Sequence, residues 1–178
     1  MPKPSQPEIT LVLSALMLAG CSTTQPINEV VAHGELVRTD GTVAGTVELH
    51  QTGNGLAVRI AASGFEPGAR ALHLHQYGKC EAPTFMSAGT HLNPHGRTHG
   101  QFSETGRHLG DLPNLDIPND GMIEVMLRIE GSLAEILPHI FDADGTAVMI
   151  HAGADDYRTD PTGGAGARIA CAILKPAN

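Results

Sequence analysis

The sequence predicts an all-β chain, a sandwich or flattened barrel of seven or eight strands carrying two long functional loops. Three observations lead there. Several segments alternate apolar and polar residues with period two. Turn residues rich in Gly, Asn and Asp separate them. No segment shows a helical period of useful length.

Taken in order, a first strand is expected near residues 30–38, closed by Asp40-Gly41. "TVAGTVELHQ" (42–51) and "LAVRIAA" (56–62) follow, joined by the hairpin signal Gly53-Asn54-Gly55. "ALHLHQ" (71–76), "MIEVMLRIE" (122–130), "TAVMIHA" (146–152) and "RIACAIL" (168–174) complete the set. Asn119-Asp120-Gly121 and Asp142-Ala143-Asp144-Gly145 punctuate them as turns. Residues 77–120 and 153–167 carry no strand pattern. Loops of that length inside a compact domain are usually functional, and the first holds His91, His95, His99, His108, Asp111 and Cys80.

At 178 residues the chain has room for one domain with a substantial core. It has 21 Gly, 12 Pro, no Trp and 3% aromatic residues, so Val, Ile, Leu and Ala must build that core. A net charge of −8 without any basic stripe excludes nucleic acid as a partner. Six of the 10 histidines fall between residues 73 and 108, a clustering that points to metal.

The N-terminus stands apart from the fold. The apolar run at 9–20 is too short to span a membrane and fits the core of a signal peptide. The following Leu18-Ala19-Gly20-Cys21 resembles the lipobox of bacterial lipoproteins, in which the Cys is acylated. Residues 1–20 are therefore expected to be a lipoprotein-type signal peptide, 21–29 a linker and 30–178 the domain. Membrane contact would come only through a lipidated Cys21, and the location would be the bacterial periplasm or cell envelope. An ordinary signal peptide, with Cys21 incidental, is the simpler alternative. With Cys21 assigned to lipid, Cys80 and Cys171 remain as one pair in an oxidising compartment. Such a bond would stabilise the fold by roughly 4–5 kcal/mol in the chain-entropy model; two free buried thiols are the alternative.

In "THLNPHGRTHG" (90–100), His91, His95 and His99 recur every four residues, as on one face of a helix. Asn93-Pro94 and Gly96 oppose a helix, so the spacing belongs to a loop. His73 and His75 sit two apart on a strand and point to one face. With His151, His91, His99, His108 and Asp111 they exceed what one tetrahedral zinc needs and suffice for two neighbouring metals.

At these residues the chain resembles the copper–zinc superoxide dismutases, especially the exported bacterial branch. "LHLH" (72–75), "SAGTHLNP" (87–94), "RHLGD" (107–111), "VMIHAGADD" (148–156) and "GGAGARIAC" (163–171) carry the resemblance. It implies an eight-stranded Greek-key barrel with copper on His73, His75, His91 and His151. Zinc would be held by His91, His99, His108 and Asp111, with His91 shared between the metals. Asp155 would tie a copper ligand to a zinc ligand. Arg168 would stand beside copper as the docking cation, making Arg168 and His91 the catalytic pair, and Cys171 would bond Cys80. His95 matches no ligand position. The implied activity is dismutation of superoxide, with Arg158, Arg168 and Lys79 as candidate steering cations. The alternative is a non-catalytic copper or zinc binding or delivery module of the same fold. "EAPTFM" (81–86) resembles the longer bacterial loop that joins oligomer contacts in some members, so monomer and homodimer both stay open.

Overall fold

The computed structural model describes Met1 and residues 28–177. The expected signal peptide, apart from Met1, and Cys21 lie outside the described residues. The chain forms β1 (Asn28–Arg38), β2 (Val43–Thr52), β3 (Gly55–Ala62), β4 (Gly68–Arg70), β5 (Leu72–His75), β6 (Leu115–Ile117), β7 (Ile123–Ile129), α1 (Leu133–Ile140), β8 (Ala147–His151), β9 (Arg168–Ile173) and β10 (Lys175–Pro176). The antiparallel main sheet runs β5-β8-β9-β1-β2-β3-β7, with β10 also paired to β1. β3 and β7 lie together at one end while β5 and β8 lie together at the other, so the chain crosses between the ends three times, from β3 to β5, from β5 to β7 and from β7 to β8. Such long crossings between hairpin-like pairs are the mark of a Greek key. The mostly β architecture is as expected.

The period-two pattern explains the sheet. Val47 and Leu49 of β2 and Leu56, Val58 and Ile60 of β3 are fully buried, whereas Glu48 and Arg59 on the outer face pair at 3.2 Å. Gly53 adopts φ 62°, the left-handed turn conformation the hairpin signal requires. The core is aliphatic, with Leu36, Leu72, Leu74, Ile129, Val148 and Ile150 among its members. Each fully buried Leu or Ile contributes roughly 1.5–3 kcal/mol relative to exposure.

Two expectations need correction. The chain does contain a helix, α1, short enough to escape a search for long periodicity. Its start is marked by "SLAE" (132–135), where Glu135 Oε2 accepts from the Ser132 amide at 2.9 Å and from its hydroxyl at 2.8 Å. Ile136 and Ile140, four apart, face the core. The stretch 77–120 is not strand-free either, since β6 pairs with β4 as a separate two-stranded sheet. Three-residue strands are too short for alternation to reveal them.

Cys80 and Cys171 form the one expected disulfide, with Cα atoms 5.7 Å apart. It fastens the beginning of the long loop to β9, next to a small buried cluster of Phe85, Ala88, Ala147 and Met149.

Candidate metal centre

Three of the seven expected ligands are fixed by backbone pairing. β5 aligns with β8 so that His73 faces Met149 and His75 faces Ala147. His73 and His75 are two residues apart and share a face. His151 ends β8 just beyond a register irregularity at Ile150/His151, which sets it opposite Arg168 of β9. All three imidazoles are buried. Each has one ring nitrogen committed: His75 Nδ1 donates to the Gly89 carbonyl at 3.0 Å and His151 Nδ1 to the Gly166 carbonyl at 3.2 Å. His73 Nε2 meets Asp155 Oδ2 at 2.9 Å. The opposite nitrogens, His73 Nδ1, His75 Nε2 and His151 Nε2, have no hydrogen-bond partner.

The remaining ligands arrive on the long loop, which docks on the other edge of β5. Isolated bridges pair His75 with His91 and His73 with Asp111. The Leu92 amide donates to Leu74 O at 2.8 Å, and the Leu74 amide to Gly110 O at 2.9 Å. A Cβ at position 110 would lie 2.3 Å from Leu74 O, so only glycine allows the two backbones to approach this closely. Asp111 then becomes the hub. Its Oδ1 is 2.9 Å from His91 Nδ1 and 3.1 Å from His108 Nδ1, and its Oδ2 is 3.1 Å from His99 Nδ1.

Asp155 joins the two groups. Besides His73, it binds His99 Nε2 through Oδ1 at 2.9 Å. Position 163 must be glycine, because a Cβ there would fall 2.0 Å from Asp155 Oδ1 and 2.6 Å from His99 Nε2. Three residues that the sequence reading did not single out complete the brace. Asn114 exchanges two hydrogen bonds with the Asp155 backbone, at 2.8 and 2.9 Å. Tyr157 donates its amide to Asp155 Oδ1 at 2.6 Å and accepts the Asn114 amide on its hydroxyl at 2.8 Å. Asp160 Oδ1 accepts the His99 amide at 2.6 Å. No local motif marks these residues; they matter only because two loops meet.

The two groups differ in charge. Burial pushes His75 down to about 2 and His151 down to about 3, with neighbouring imidazoles and Arg168 adding to the effect. His91 falls to about 4, burial outweighing its bond to Asp111. His99 moves the other way, because Asp111 and Asp155 overcome the cost of its burial and raise it to about 9. Burial favours the neutral form of Asp111 and of Asp155, yet their histidine and amide donors hold both well below the usual carboxylate range.

These residues fit two metal ions. A buried polar atom without a partner costs about 1–3 kcal/mol, so a cluster of such nitrogens calls for a ligand. His73, His75, His91 and His151 place one ligating atom each within 4.8 Å of one another, as do His91, His99, His108 and Asp111. Tetrahedral ligation at zinc distances spaces ligand atoms about 3.3 Å apart, close to the 2.9–3.1 Å contacts around Asp111. The all-imidazole group suits copper, and three imidazoles with a carboxylate suit zinc.

The steering candidates separate. Arg168 donates to Phe85 O and Gly89 O, each at 2.6 Å, so it shares the Gly89 carbonyl with His75. Arg158 lies over the Phe102 ring at 4.6 Å and Lys79 over the Tyr77 ring at 5.9 Å. Arg168 is the one of the three fixed beside the strand-borne imidazoles.

Comparison with known proteins agrees with this geometry. The family model described as copper/zinc superoxide dismutase matches residues 43–174. Cu-Zn superoxide dismutase 2 of Aquifex aeolicus (strain VF5) is 39% identical over 168 residues, covering 93% of this chain and 96% of that protein. The crystal structure of a superoxide dismutase-like protein from Bacillus subtilis has a TM-score of 0.77 at 37% identity, covering 83% of this chain and 100% of that one. The Cu/Zn superoxide dismutase from Brucella abortus has a TM-score of 0.67 at 26% identity, covering 80% and 98%. Sequence, sheet order and ligand chemistry converge, and this chain belongs to the copper/zinc superoxide dismutase family.

Proposed function

We propose that the chain is an oxidoreductase that dismutes superoxide, turning two superoxide anions and two protons into dioxygen and hydrogen peroxide. The observation that carries this reading is the position of His91. It is the member common to both ligand groups, with Nδ1 turned to Asp111 and Nε2 unpartnered toward the strand-borne imidazoles. His73, His75, His91 and His151 would hold copper, and His91, His99, His108 and Asp111 would hold zinc. Bound copper supplies the reversible one-electron change that zinc lacks.

The protein's own residues do the rest. His91 Nε2 is the atom that takes up and returns a proton as charge at the strand-borne group alternates, while the loop-borne ligands keep its ring in place. Arg168, its guanidinium fixed by two carbonyls, docks a small anion next to His151 and His75. Asp155 fixes the tautomers of His73 and His99 and so keeps their outer nitrogens from competing as ligands.

The test is superoxide consumption by purified protein of known copper and zinc content, with His151→Ala as the control. Activity that follows copper content and disappears in the variant supports the reading. Full loading with no activity above free metal overturns it and favours the binding or delivery module.

For the N-terminus, the reading remains a signal peptide at 1–20, a linker at 21–29 and the domain from 30 onward, anchored in the periplasm through an acylated Cys21. Mass spectrometry of membrane-fraction protein checks it, since an unmodified N-terminus would refute lipidation.

A further inference from the structure

Phe85 has a backbone conformation that aromatic residues rarely adopt. Its φ is 55°, in the left-handed region, where a bulky side chain stays only if its surroundings hold it. With Gly89, at φ 75°, it brackets a single 3-10 turn, Met86–Ala88, in the long loop. Both bracketing carbonyls face Arg168: Phe85 O and Gly89 O each accept from its guanidinium at 2.6 Å. Position 89 is glycine, the residue that a positive φ favours. Position 85 is not, so the ring must offset the strain. That ring is fully buried and heads the largest side chains so placed among the described residues. It packs with Ala88, Ala147, Met149 and Cys171 in a cluster separate from the main core. Ala147 and Met149 stand opposite His75 and His73 in the β5–β8 ladder, and Cys171 stands opposite Met149. The ring therefore ties the loop carbonyl to the strands that carry the imidazoles and Arg168 itself. The disulfide enters the loop earlier, at Cys80, which is only partly buried beside this cluster.

We propose that Phe85 is the positioning residue for Arg168, and that its hold is independent of the Cys80–Cys171 bond. The ring fixes the backbone, the backbone aims the carbonyl, and the carbonyl sets the guanidinium where a small anion docks. The inference deepens the dismutase reading, on which the docking role of Arg168 rests. A chain without the disulfide loses stability but keeps its anion-docking geometry.

The test titrates azide, a small monoanion, into the full chain loaded with copper and zinc and follows the copper absorption band. Phe85→Ala should weaken azide binding about tenfold or more and Phe85→Leu about threefold, since small misplacements of a docking group are costly. In an Arg168→Gln background the same changes should add nothing, because the two residues act as one unit. The double change Cys80→Ser with Cys171→Ala should lower the unfolding midpoint and leave azide affinity unaltered. Unchanged affinity in the Phe85 variants, additive losses with Arg168→Gln, or an equal loss on removing the disulfide each overturns the proposal. If Phe85→Ala fails to fold, Phe85→Leu carries the test alone. Azide binding is read without turnover, so its outcome is distinct from that of the dismutase assay.

Discussion

The strand-borne imidazoles and the loop-borne ligands touch each other, yet different forces hold them in place. His73, His75 and His151 inherit their positions from the β5–β8 and β8–β9 ladders, with backbone hydrogen bonds on both sides. His99, His108 and Asp111 sit on a stretch with few ladder bonds and depend on side-chain bonds to Asp111, Asp155 and Asp160. The charge differs accordingly: without metal, His75 and His151 are neutral while His99 carries a proton between two carboxylates. The sheet therefore supplies a preformed neutral pocket, and the loop supplies a network in which a proton stands where a cation belongs. Metal binding to the loop-borne group must release that proton, which ties its affinity to pH.

Several measurements can break or sharpen this contrast. The largest effect is expected from His91→Ala, which belongs to both groups. Activity should fall at least about a hundredfold, and copper and zinc retention should both drop, as read by metal analysis. Loss of one metal alone would mean that the groups do not share this residue.

Cys171→Ser should follow. The disulfide closes a separation of 91 residues, so its loss should cost about 4–5 kcal/mol in the chain-entropy model, read from denaturant unfolding under oxidising conditions. The identity of the bound metals should change little, because Cys80 only fastens the start of the loop. An unchanged midpoint would remove the disulfide from the account of how the loop is held.

Asp155→Asn should lower zinc affinity about 10- to 100-fold, the usual effect of losing a partner that orients a metal-ligating histidine. Copper affinity should fall less, since β5 still fixes His73. Equal losses would show that the ladder does not protect the strand-borne group.

The metal-free protein provides a test in pH. His75, His91 and His151 have folded values below the ordinary 6.5, so the unfolded chain binds more protons and stability rises as pH climbs toward 6.5. His99 lies above its ordinary value, so its contribution is complete below 6.5 and is lost as pH passes through about 9. Stability of the metal-free form should therefore peak near pH 6.5 and fall on both sides, as read from unfolding midpoints. With zinc bound the alkaline decline should vanish. A metal-free form that stays level from pH 6.5 to 9 would contradict the protonated His99.

The smallest effect is expected from Tyr157→Phe, which removes the hydroxyl that accepts the Asn114 amide. The cost should be about 1 kcal/mol, seen as faster amide exchange in the second loop with the β5 and β8 amides unaffected. Acceleration spread over both regions would show that loop and sheet open together.

The sequence alone determined much of this protein. Alternation and turn chemistry place the long strands of the sheet, since a period of two survives whatever the strands pack against. The chemistry of His, Asp and Cys in these segments, with the family resemblance they carry, proposes a ligand set before any distance is known. What only the tertiary structure decided lies where distant segments meet. Gly110 and Gly163 look like ordinary loop glycines until Leu74 O and the Asp155–His99 bond fill the space a Cβ would need. Asn114, Tyr157 and Asp160 carry no local signal, because their partners come from another loop. The short pair β4 and β6 and the two-turn helix α1 likewise gain their stability from the neighbouring surface they pack on. His95 shows the same division: the sequence separates it from the ligands, and folding alone brings it to His139. Periodicity records which face of an element is buried; it does not record which two loops will share a carboxylate.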